Sequence, residues 1–359
     1  MRDPRCNLCG TSNCDVAYRH KPGGGKVLPR DSYAISESEM QKPEVIYRCR
    51  TCGLVFARQD YDIAQYERKY VDMVDGGYLT EEEGRRDAAI RVIRRIERYK
   101  KKGRILDIGC ASGFLLDEAR RRNWETFGVE MSKWAAEYAA NRLNLNVFQG
   151  ALKEAVFPDK HFDAVVMLDV IEHLSDPHAM LGEIRRILKN DGVLYISTPD
   201  IMSFMSRVLG GKWWGINKFH LFYFSKVTLR RLLDVCGFKV LRYNPHIRIF
   251  SVNYWVERLR PYSNFIYNML DFISRIGSLG KVKLSVNFRD QIEVLAVKAK
   301  KPEFADDAPA GGEYASAGVP MKTIAVLPAH NAAKTLKITV DGIPKNVVSE
   351  IILVDDKST

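Results

Sequence analysis

Short apolar segments alternate with amphipathic segments from Arg104 to about Lys300. Apolar runs of about four to eight residues are typical of buried strands, whereas apolar residues three and four positions apart are typical of helices. The alternation therefore predicts an α/β fold whose parallel sheet is covered by helices on both faces. The predicted strands span residues 104–108, 126–130, 146–149, 164–168, 193–197, 239–243 and 291–299. The predicted helices span residues 114–122, 133–142, 178–189 and 226–236, the last with Ser225 as its N-cap.

Two segments outside this alternation are also predicted to be helical. An apolar stripe predicts a helix over residues 82–101, and six arginines fill much of its remaining surface. We interpret these arginines as a solvated face, with phosphate binding as the alternative. Residues 244–289 predict a helical insert with one apolar side beside several arginines. Such an insert would cap a site, contact a second subunit or lie on a membrane surface.

The composition is that of a globular protein. The chain has 359 residues, of which 46% are hydrophobic and 28% charged, which excludes a wholly disordered, collagen-like or coiled-coil chain. The net charge of +11 favours an anionic substrate, a nucleic acid or an acidic membrane surface without choosing among them. The first residues lack the apolar core of a secretion signal, and no apolar run reaches about 18 residues, so we expect a cytoplasmic protein.

Two cysteine pairs near the start share the pattern C-x-x-C-G: Cys6 with Cys9, and Cys49 with Cys52. Two residues between thiolates let one turn present both sulfurs to one ion, and four thiolates close a tetrahedral zinc shell. In a reducing compartment such pairs hold metal more often than they form disulfides. The pattern predicts a structural zinc ribbon over residues 1–58, followed by a connecting helical segment over residues 59–103. Cys14 is a spare thiol that either competes as a ligand or lies nearby.

A glycine turn follows the first strand of the alternation. Gly109 permits the backbone to turn, and Gly113 opens the next helix without a Cβ, so a ligand can approach main-chain N–H groups. The second strand ends at Glu130, whose carboxylate can accept hydrogen bonds from both hydroxyls of a ribose. The spacing G-x-A-x-G and the preceding Asp107 disfavour a diphosphate and favour a cationic ligand.

This combination resembles the class I S-adenosylmethionine-dependent methyltransferases over residues 104–300, including their antiparallel last pair of strands. The resemblance implies a Rossmann-like, seven-stranded, mostly parallel sheet with S-adenosylmethionine as cofactor. In that family the glycine turn surrounds the methionine, the acid after the second strand holds the ribose, and here backbone groups would serve the adenine. The cofactor contacts so implied are Asp107, Gly109, Cys110, Ala111, Gly113, Glu130, Met131, Ala151, Leu152 and Asp169. The sequence departs from the family at Ala111, in place of a glycine, and at Ala151, in place of an acid or amide.

The fourth strand leads into Asp169, Glu172 and His173, in a segment similar to the E-H-L-x-D-P segment of many methyltransferases of this class. Three interpretations remain open. His173 is a general base that removes a proton from the attacking group. Alternatively the three residues, on one face if the turn is helical, bind a divalent cation, as in the quinone O-methyltransferases with a related segment. In the third interpretation these polar groups only hold the loop in shape.

The segment after the fifth strand contains Trp213, Trp214 and His220. The tryptophans predict either a substrate wall that stacks on a ring or a cluster that closes the sheet edge. His220 is a second candidate base, so the catalytic candidates are His173, His220 and Glu172.

The end of the chain has a different character. Residues 301–320 have the alanine, proline and glycine content of a linker. Residues 321–359 resemble the opening β-α-β unit of a family 2 glycosyltransferase of the GT-A fold, in which Pro328, Ala329, Asn331 and Asp356 would hold the nucleotide of a sugar donor. A segment of about 40 residues cannot bury a stable core alone, so we interpret it as a truncated fragment.

The sequence thus predicts a methyltransferase that uses S-adenosylmethionine and a structural zinc ion. Its arrangement resembles sugar C-methyltransferases, which implies transfer to an oxygen or carbon of a sugar, a glycan intermediate or a related small molecule, and the tail favours polysaccharide biosynthesis. The alternatives are an RNA methyltransferase, a quinone-type small-molecule O-methyltransferase and a scaffold without chemistry. The RNA alternative rests on the ribbon and the positive charge, but the N/D-P-P-Y/F and Pro-Cys motifs are absent. Peripheral membrane contact and oligomer formation are left open.

Overall fold

The computed structural model describes residues 4–20, 42–57, 71–72, 74–259, 263–275, 279–299, 324–328 and 350–354. Residues 1–311 form one compact unit and residues 312–359 a second. The predicted linker lies outside the described residues. Within the described ranges, no helix is both long enough and apolar enough to cross a membrane.

A small antiparallel sheet carries the paired cysteines. Its first three strands are β1 (Cys14–Arg19), β2 (Val45–Cys49) and β3 (Val55–Ala57). Its fourth strand, Phe222–Tyr223, comes from a distant part of the chain and pairs antiparallel with β3. The predicted ribbon ends at residue 58, whereas the sheet that contains it is completed by residues of the predicted methyltransferase region.

Among the described residues between this sheet and the central fold are the helices α1 (Gly76–Thr80) and α2 (Glu82–Ile96). The predicted apolar stripe of α2 is buried at four of its five positions, but the helix ends before Tyr99, which is exposed. Two of the five arginines of this helix pair with buried acids. Arg86 contacts Asp117 and Glu118 at 2.7 and 2.8 Å, and Arg95 forms an ion pair with the buried Glu293.

The central region alternates strands and helices as predicted. Its elements are β4 (Arg104–Ile108), α3 (Phe114–Arg121), β5 (Glu125–Glu130), α4 (Lys133–Leu143), β6 (Val147–Gln149), β7 (Phe162–Leu168), α5 (Pro177–Ile187), β8 (Leu188–Pro199), α6 (Phe204–Leu209), β9 (Phe222–Tyr223), α7 (Lys226–Val235) and β10 (Phe238–Pro245). The insert and the last strand of the sheet follow as β11 (Arg248–Ser251), α8 (Val252–Glu257), α9 (Asn264–Ser274), β12 (Lys283–Val286) and β13 (Gln291–Lys298).

Seven of these strands form one sheet in the order β10-β13-β8-β7-β4-β5-β6. The strands from β8 to β6 run parallel, and β13 lies antiparallel between β8 and β10. The predicted Rossmann-like, seven-stranded, mostly parallel sheet is therefore confirmed. Successive residues of a strand point to opposite faces of a sheet. Val165 of β7 accordingly packs in one buried cluster and Val166 in another, so apolar layers cover both faces.

The insert between β10 and β13 contains a β-hairpin as well as helices. Strands β11 and β12 pair antiparallel, with Arg248 opposite Val286. The hairpin packs tightly on α2, since a Cβ added at Gly84 would lie 2.1 Å from the carbonyl oxygen of Ile249. A purely helical insert was predicted because the apolar spacing of α9 dominates the local pattern, whereas both strands are short.

The second unit contains a parallel pair of strands, β14 (Ile324–Pro328) and β15 (Glu350–Val354). A parallel pair is the arrangement that a β-α-β unit requires. Of the four predicted nucleotide contacts, Pro328 ends β14, whereas Ala329, Asn331 and Asp356 lie outside the described residues.

Candidate cofactor and acceptor site

The glycine turn after β4 forms a cradle at the carboxyl edge of the sheet. Gly109 and Gly113 have φ angles of 72° and 81°, in the left-handed region that favours glycine. A Cβ at Gly109 would lie 2.6 Å from Val170, and one at Gly113 would lie 2.6 Å from Leu145, so side chains are excluded at both positions. Ala111 also has a positive φ, 46°, which costs an alanine about 1–2 kcal/mol.

Two buried carboxyl groups lie beside this cradle. Glu130 accepts hydrogen bonds from the N–H groups of Ala111 and Ser132, both at 2.8 Å, which fixes its carboxylate at the end of β5. Burial raises the pKa of Glu130. Burial also raises the pKa of Asp107 well above its ordinary value, and the charge on Glu130 raises it further. Within the described ranges no lysine or arginine pairs with either acid. A cationic ligand would therefore stabilise the charged forms that burial disfavours.

Tyr78 of α1 lies close to the same two acids. Burial raises the pKa of its hydroxyl, and the charges on Asp107 and Glu130 add to this effect. Its ring stacks on Phe114 with centroids 6.1 Å apart, and the Arg85 guanidinium lies 3.5 Å from its ring centroid. Phe114 and Arg85 therefore hold the Tyr78 ring in place near the two acids.

The predicted adenine contacts lie in a short turn after β6. Leu152 is buried, and the N–H of Ala151 donates to the Glu154 carboxylate at 2.8 Å. The N–H assigned to the adenine is therefore already bonded to an acid that sequence reasoning missed. Glu154 comes three residues after the position where the family has an acid or amide, and this spacing was the available signal. At the ribose end, the Met131 carbonyl accepts a hydrogen bond from Gln149 at 3.3 Å.

Asp169 lies at the end of β7 with a φ of 54° and is exposed. Its Oδ1 accepts hydrogen bonds from Ser197, at 3.1 Å, and from the Gln291 side-chain amide. The neighbouring Val170 touches the glycine cradle at Gly109. Asp169 therefore borders the glycine cradle.

Glu172, His173 and His220 form a separate cluster. One ring nitrogen of each histidine and one carboxylate oxygen of Glu172 lie within 4.8 Å of one another, and the histidine ring centroids are 4.7 Å apart. Asp169 is not part of this cluster, because the chain makes only one 3₁₀ turn, Ile171–His173, rather than an α-helix. His220 takes its place through a long-range contact that local spacing does not reveal.

The hydrogen bonds of the two histidines fix their tautomers. Nδ1 of His173 bonds the Phe219 carbonyl at 2.9 Å, and Nδ1 of His220 bonds the Gly215 carbonyl at 2.7 Å. Because a carbonyl oxygen only accepts, each Nδ1 carries the proton and each Nε2 carries the lone pair.

Burial sets the charge state of this cluster. It lowers the pKa of His173 to about 4. Burial and the neighbouring His173 lower the pKa of His220 well below its usual value. Burial raises the pKa of Glu172 well above its usual value, and the charge on Asp169 raises it further. Oε2 of Glu172 accepts from Thr198 at 2.9 Å, whereas Oε1 is buried without a hydrogen-bond partner in the described part of the chain.

The paired tryptophans have different environments. Trp213 is fully buried and packs in the core beneath the ribbon sheet. Trp214 is 37% exposed, and its Nε1 donates to Asp290 at 2.6 Å. Arg248 of the insert also pairs with Asp290 at 2.7 Å and lies 4.5 Å above the Trp214 ring. Arg248 further donates to Gln291 at 3.2 Å, which links this polar wall to Asp169.

The four predicted metal ligands meet in the ribbon. The Sγ atoms of Cys6 and Cys52 are 3.4 Å apart, those of Cys9 and Cys49 are 3.5 Å apart, and all four lie within 4.8 Å of one another. A tetrahedral zinc ion with Zn–S bonds of about 2.3 Å places its sulfurs about 3.8 Å apart, whereas a disulfide needs about 2.05 Å. The cluster therefore fits zinc. Cys14 is not among the four, and its thiol faces the Thr11 carbonyl at 3.9 Å.

Residues 81–243 match the protein family described as "Methyltransferase domain". This range includes the glycine cradle, both of its acids and the Glu172 cluster. The chain contains an S-adenosylmethionine-dependent methyltransferase domain. A probable S-adenosylmethionine-dependent methyltransferase of Mycolicibacterium smegmatis is 30% identical over 141 residues, which are 38% of this chain and 52% of that protein. The predicted cofactor, S-adenosylmethionine, agrees with this family.

Other similar proteins cover different shares of the chain. A ubiquinone biosynthesis O-methyltransferase of Alkalilimnicola ehrlichii is 33% identical over 118 residues, which are 31% of this chain and 48% of that protein. The solved structure of an S-adenosylmethionine-dependent methyltransferase from Archaeoglobus fulgidus covers 62% of this chain and 100% of its own, with a TM-score of 0.42 and 22% identity. The chain spans about half the length of the curated relatives it matches.

Proposed function

We propose that this protein transfers the methyl group of S-adenosylmethionine to an oxygen or carbon of a sugar, a glycan intermediate or a related small molecule. The cradle and the carboxylates of Asp107 and Glu130 would hold the cofactor, whose sulfonium and ammonium charges complement two buried acids. The methyl group would pass from the sulfonium to the acceptor in an in-line displacement, in which alignment and exclusion of water supply much of the acceleration.

The observation that carries the acceptor class is the polar wall around Trp214. The Trp214 indole is 37% exposed, and the Arg248 guanidinium lies above one face of its ring. Both side chains contact the buried Asp290 carboxylate, and Gln291 connects Arg248 to Asp169. Aromatic faces stack on rings, while carboxylate and guanidinium groups bond ring hydroxyls and anionic substituents. This combination suits a hydroxyl-rich ring such as a sugar.

We further propose that Cys6, Cys9, Cys49 and Cys52 hold a structural zinc ion and that the ribbon shapes the acceptor side. The proposal is supported by strand β9, which belongs to the ribbon sheet and directly follows His220 and Leu221. A closed four-cysteine shell has no open position for chemistry, so the ion would act only on folding. The assignment of residues 301–320 as a linker and 321–359 as a glycosyltransferase-like fragment also stays a proposal, supported by the parallel pair of β14 and β15.

The acceptor class can be tested by measuring S-adenosylhomocysteine release from the purified full chain. Nucleotide-activated sugars, a catechol-type quinol precursor and ribosomal RNA would be compared at equal concentration. We expect turnover with the sugar class and a rise in its KM of about tenfold for Trp214→Ala, since the stacking face is lost. Turnover with the quinol alone would replace the proposal with the quinone alternative, which the similarity to ubiquinone biosynthesis O-methyltransferases favours. Turnover with RNA alone, or binding of cofactor without turnover, would also contradict it.

The two histidines can be tested without disturbing the loop. In His173→Asn and His220→Asn the new amide N–H can replace Nδ1–H toward the Phe219 and Gly215 carbonyls, whereas Nε2 is removed. If one Nε2 accepts the proton of the acceptor, the corresponding variant should lose kcat by about 100-fold or more. Its Kd for S-adenosylmethionine and its melting temperature should stay unchanged.

The pH profile separates this role from a structural one. Because the pKa of His173 is lowered to about 4, Nε2 keeps its lone pair across neutral pH. We expect kcat of the native protein to be flat from about pH 5.5 to 8 and to fall toward pH 4 as the imidazole is protonated. In the variant that lacks the base, the remaining kcat should not fall toward pH 4. Full activity in both variants would mean that the two histidines only hold the loop in shape. If a chelator abolished turnover and magnesium restored it, the divalent-cation alternative would be favoured.

A further inference from the structure

Helix α9 presents its apolar face to solvent. Phe265, Ile266, Met269, Phe272 and Ile273 are all exposed, and Phe265 and Phe272 are 78% and 70% exposed. Their spacing of i, i+1, i+4, i+7 and i+8 places the five side chains on one face of the helix. A soluble helix normally buries such a face, so this helix is oriented in the opposite sense.

The polar side of α9 is the side that contacts the protein. Ser274 is the buried residue of this helix, and the Tyr267 hydroxyl donates to Glu257 of α8 at 3.0 Å. Both residues lie opposite the exposed stripe on the helical wheel. The orientation is therefore fixed by polar contacts, which leave the five apolar side chains outward.

The surroundings of this face are apolar and basic. Leu279, Val282, Leu284 and Phe288, in the segment that follows α9, are each between 39% and 49% exposed. Residues 244–289 contain seven lysines and arginines and two acids. Arg248, Arg275 and Lys283 are paired with acids, whereas Lys281 and Arg289 are exposed. A second copy of the chain placed on this face would bring two basic segments together, whereas an anionic surface would neutralise them.

We propose that α9 and the segment after it form a docking surface for an anionic lipid bilayer. The helix would lie in the plane of the interface with its five apolar side chains among the acyl chains, while the flanking basic residues contact the headgroups. With 11 residues, α9 is too short to span a bilayer and has the length of a surface-lying helix. This inference does not depend on the identity of the methyl acceptor.

The test uses the zinc-loaded full chain and flotation with vesicles of phosphatidylcholine alone or mixed equally with phosphatidylglycerol. We expect binding to the anionic vesicles that weakens at 0.5 M salt, and little binding to the neutral ones. The double variant Phe265→Ser with Phe272→Ser should bind at least tenfold more weakly. Val227→Ser is the matched control, since Val227 is a 61% exposed apolar residue on α7, and it should bind like the native chain.

Three results would overturn the proposal. The first is that the native chain fails to float with anionic vesicles. The second is that the double variant binds these vesicles as well as the native chain does. The third is that, without lipid, the native chain sediments as a dimer and the double variant as a monomer, which would mean that a second copy of the chain covers the face. Melting curves accompany the variants, and an unchanged midpoint is expected for the double variant because Phe265 and Phe272 are 78% and 70% exposed.

Discussion

Replacing Glu130 with alanine is expected to weaken S-adenosylmethionine binding by about 100-fold. The variant would lose the carboxylate that is held for the ribose by the N–H groups of Ala111 and Ser132. Hydrogen bonds to a charged group contribute about 1.5–3 kcal/mol each, and about 2.7 kcal/mol corresponds to 100-fold. Calorimetric titration of the folded variant measures the effect. Glu125→Ala is the matched control, because Glu125 begins the same strand but is exposed and pairs only with Arg104 at the surface.

The partner acid, Asp107, is also expected to affect the pH dependence of stability. Asp107 has a raised pKa, so the folded chain binds more protons than the unfolded chain, and its stability falls as the pH rises above about 4. Asp107→Asn should therefore weaken cofactor binding while it removes part of this pH-dependent loss from the cofactor-free protein. Unchanged affinity in both Glu130→Ala and Asp107→Asn would contradict the assignment of the cofactor site.

Replacing Cys52 with serine is expected to abolish stoichiometric zinc binding and to destabilise the protein by about 4 kcal/mol or more. Cys52 is buried in the four-cysteine cluster, and its carbonyl accepts a hydrogen bond from Arg231 of α7 at 2.8 Å. The ribbon residues Leu54 and Phe56 pack in the same apolar cluster as Phe222 and Leu229, so loosening the ribbon exposes the core. Elemental analysis and urea unfolding measure the two effects.

Cys14→Ser is the control for this prediction. Cys14 lies in the same small sheet but outside the cluster, so the variant should retain one zinc ion per chain and nearly native stability. The ribbon would lose its role as a metal site if the native chain held no zinc, or if Cys52→Ser kept a full equivalent.

The central fold was predictable because its signals are local. The apolar runs of the parallel strands differ from the helices between them in period, and Ser225 caps α7 as its position predicted. The glycine cradle was also predictable, since a tight turn and a close backbone approach both require the residue without a side chain. Chemistry that resides in consecutive residues can be read from their order.

The remaining features depend on contacts between distant segments. Strand β9 has only two residues, Phe222 and Tyr223, and the local sequence does not predict that they pair with β3. His220 approaches Glu172 because the loop after β8 returns to the sheet edge. The local spacing had instead predicted Asp169 as the neighbour of Glu172 and His173. Arg248 reaches Asp290 because β11 pairs with β12, which places Arg248 opposite Val286. In each case the partner is chosen by the tertiary path of the chain, which no short window of sequence contains.

The pairing of β9 with β3 limits how this protein can be shortened. A version that begins at α2 would keep the cofactor cradle, yet Phe222 and Tyr223 would lose the neighbour that satisfies their backbone groups. A bare strand edge flanked by aromatic residues recruits other chains, so such a version should aggregate rather than stay monomeric. Fusing this domain to a different N-terminal region would therefore require a replacement for strand β3 as well as a replacement metal site.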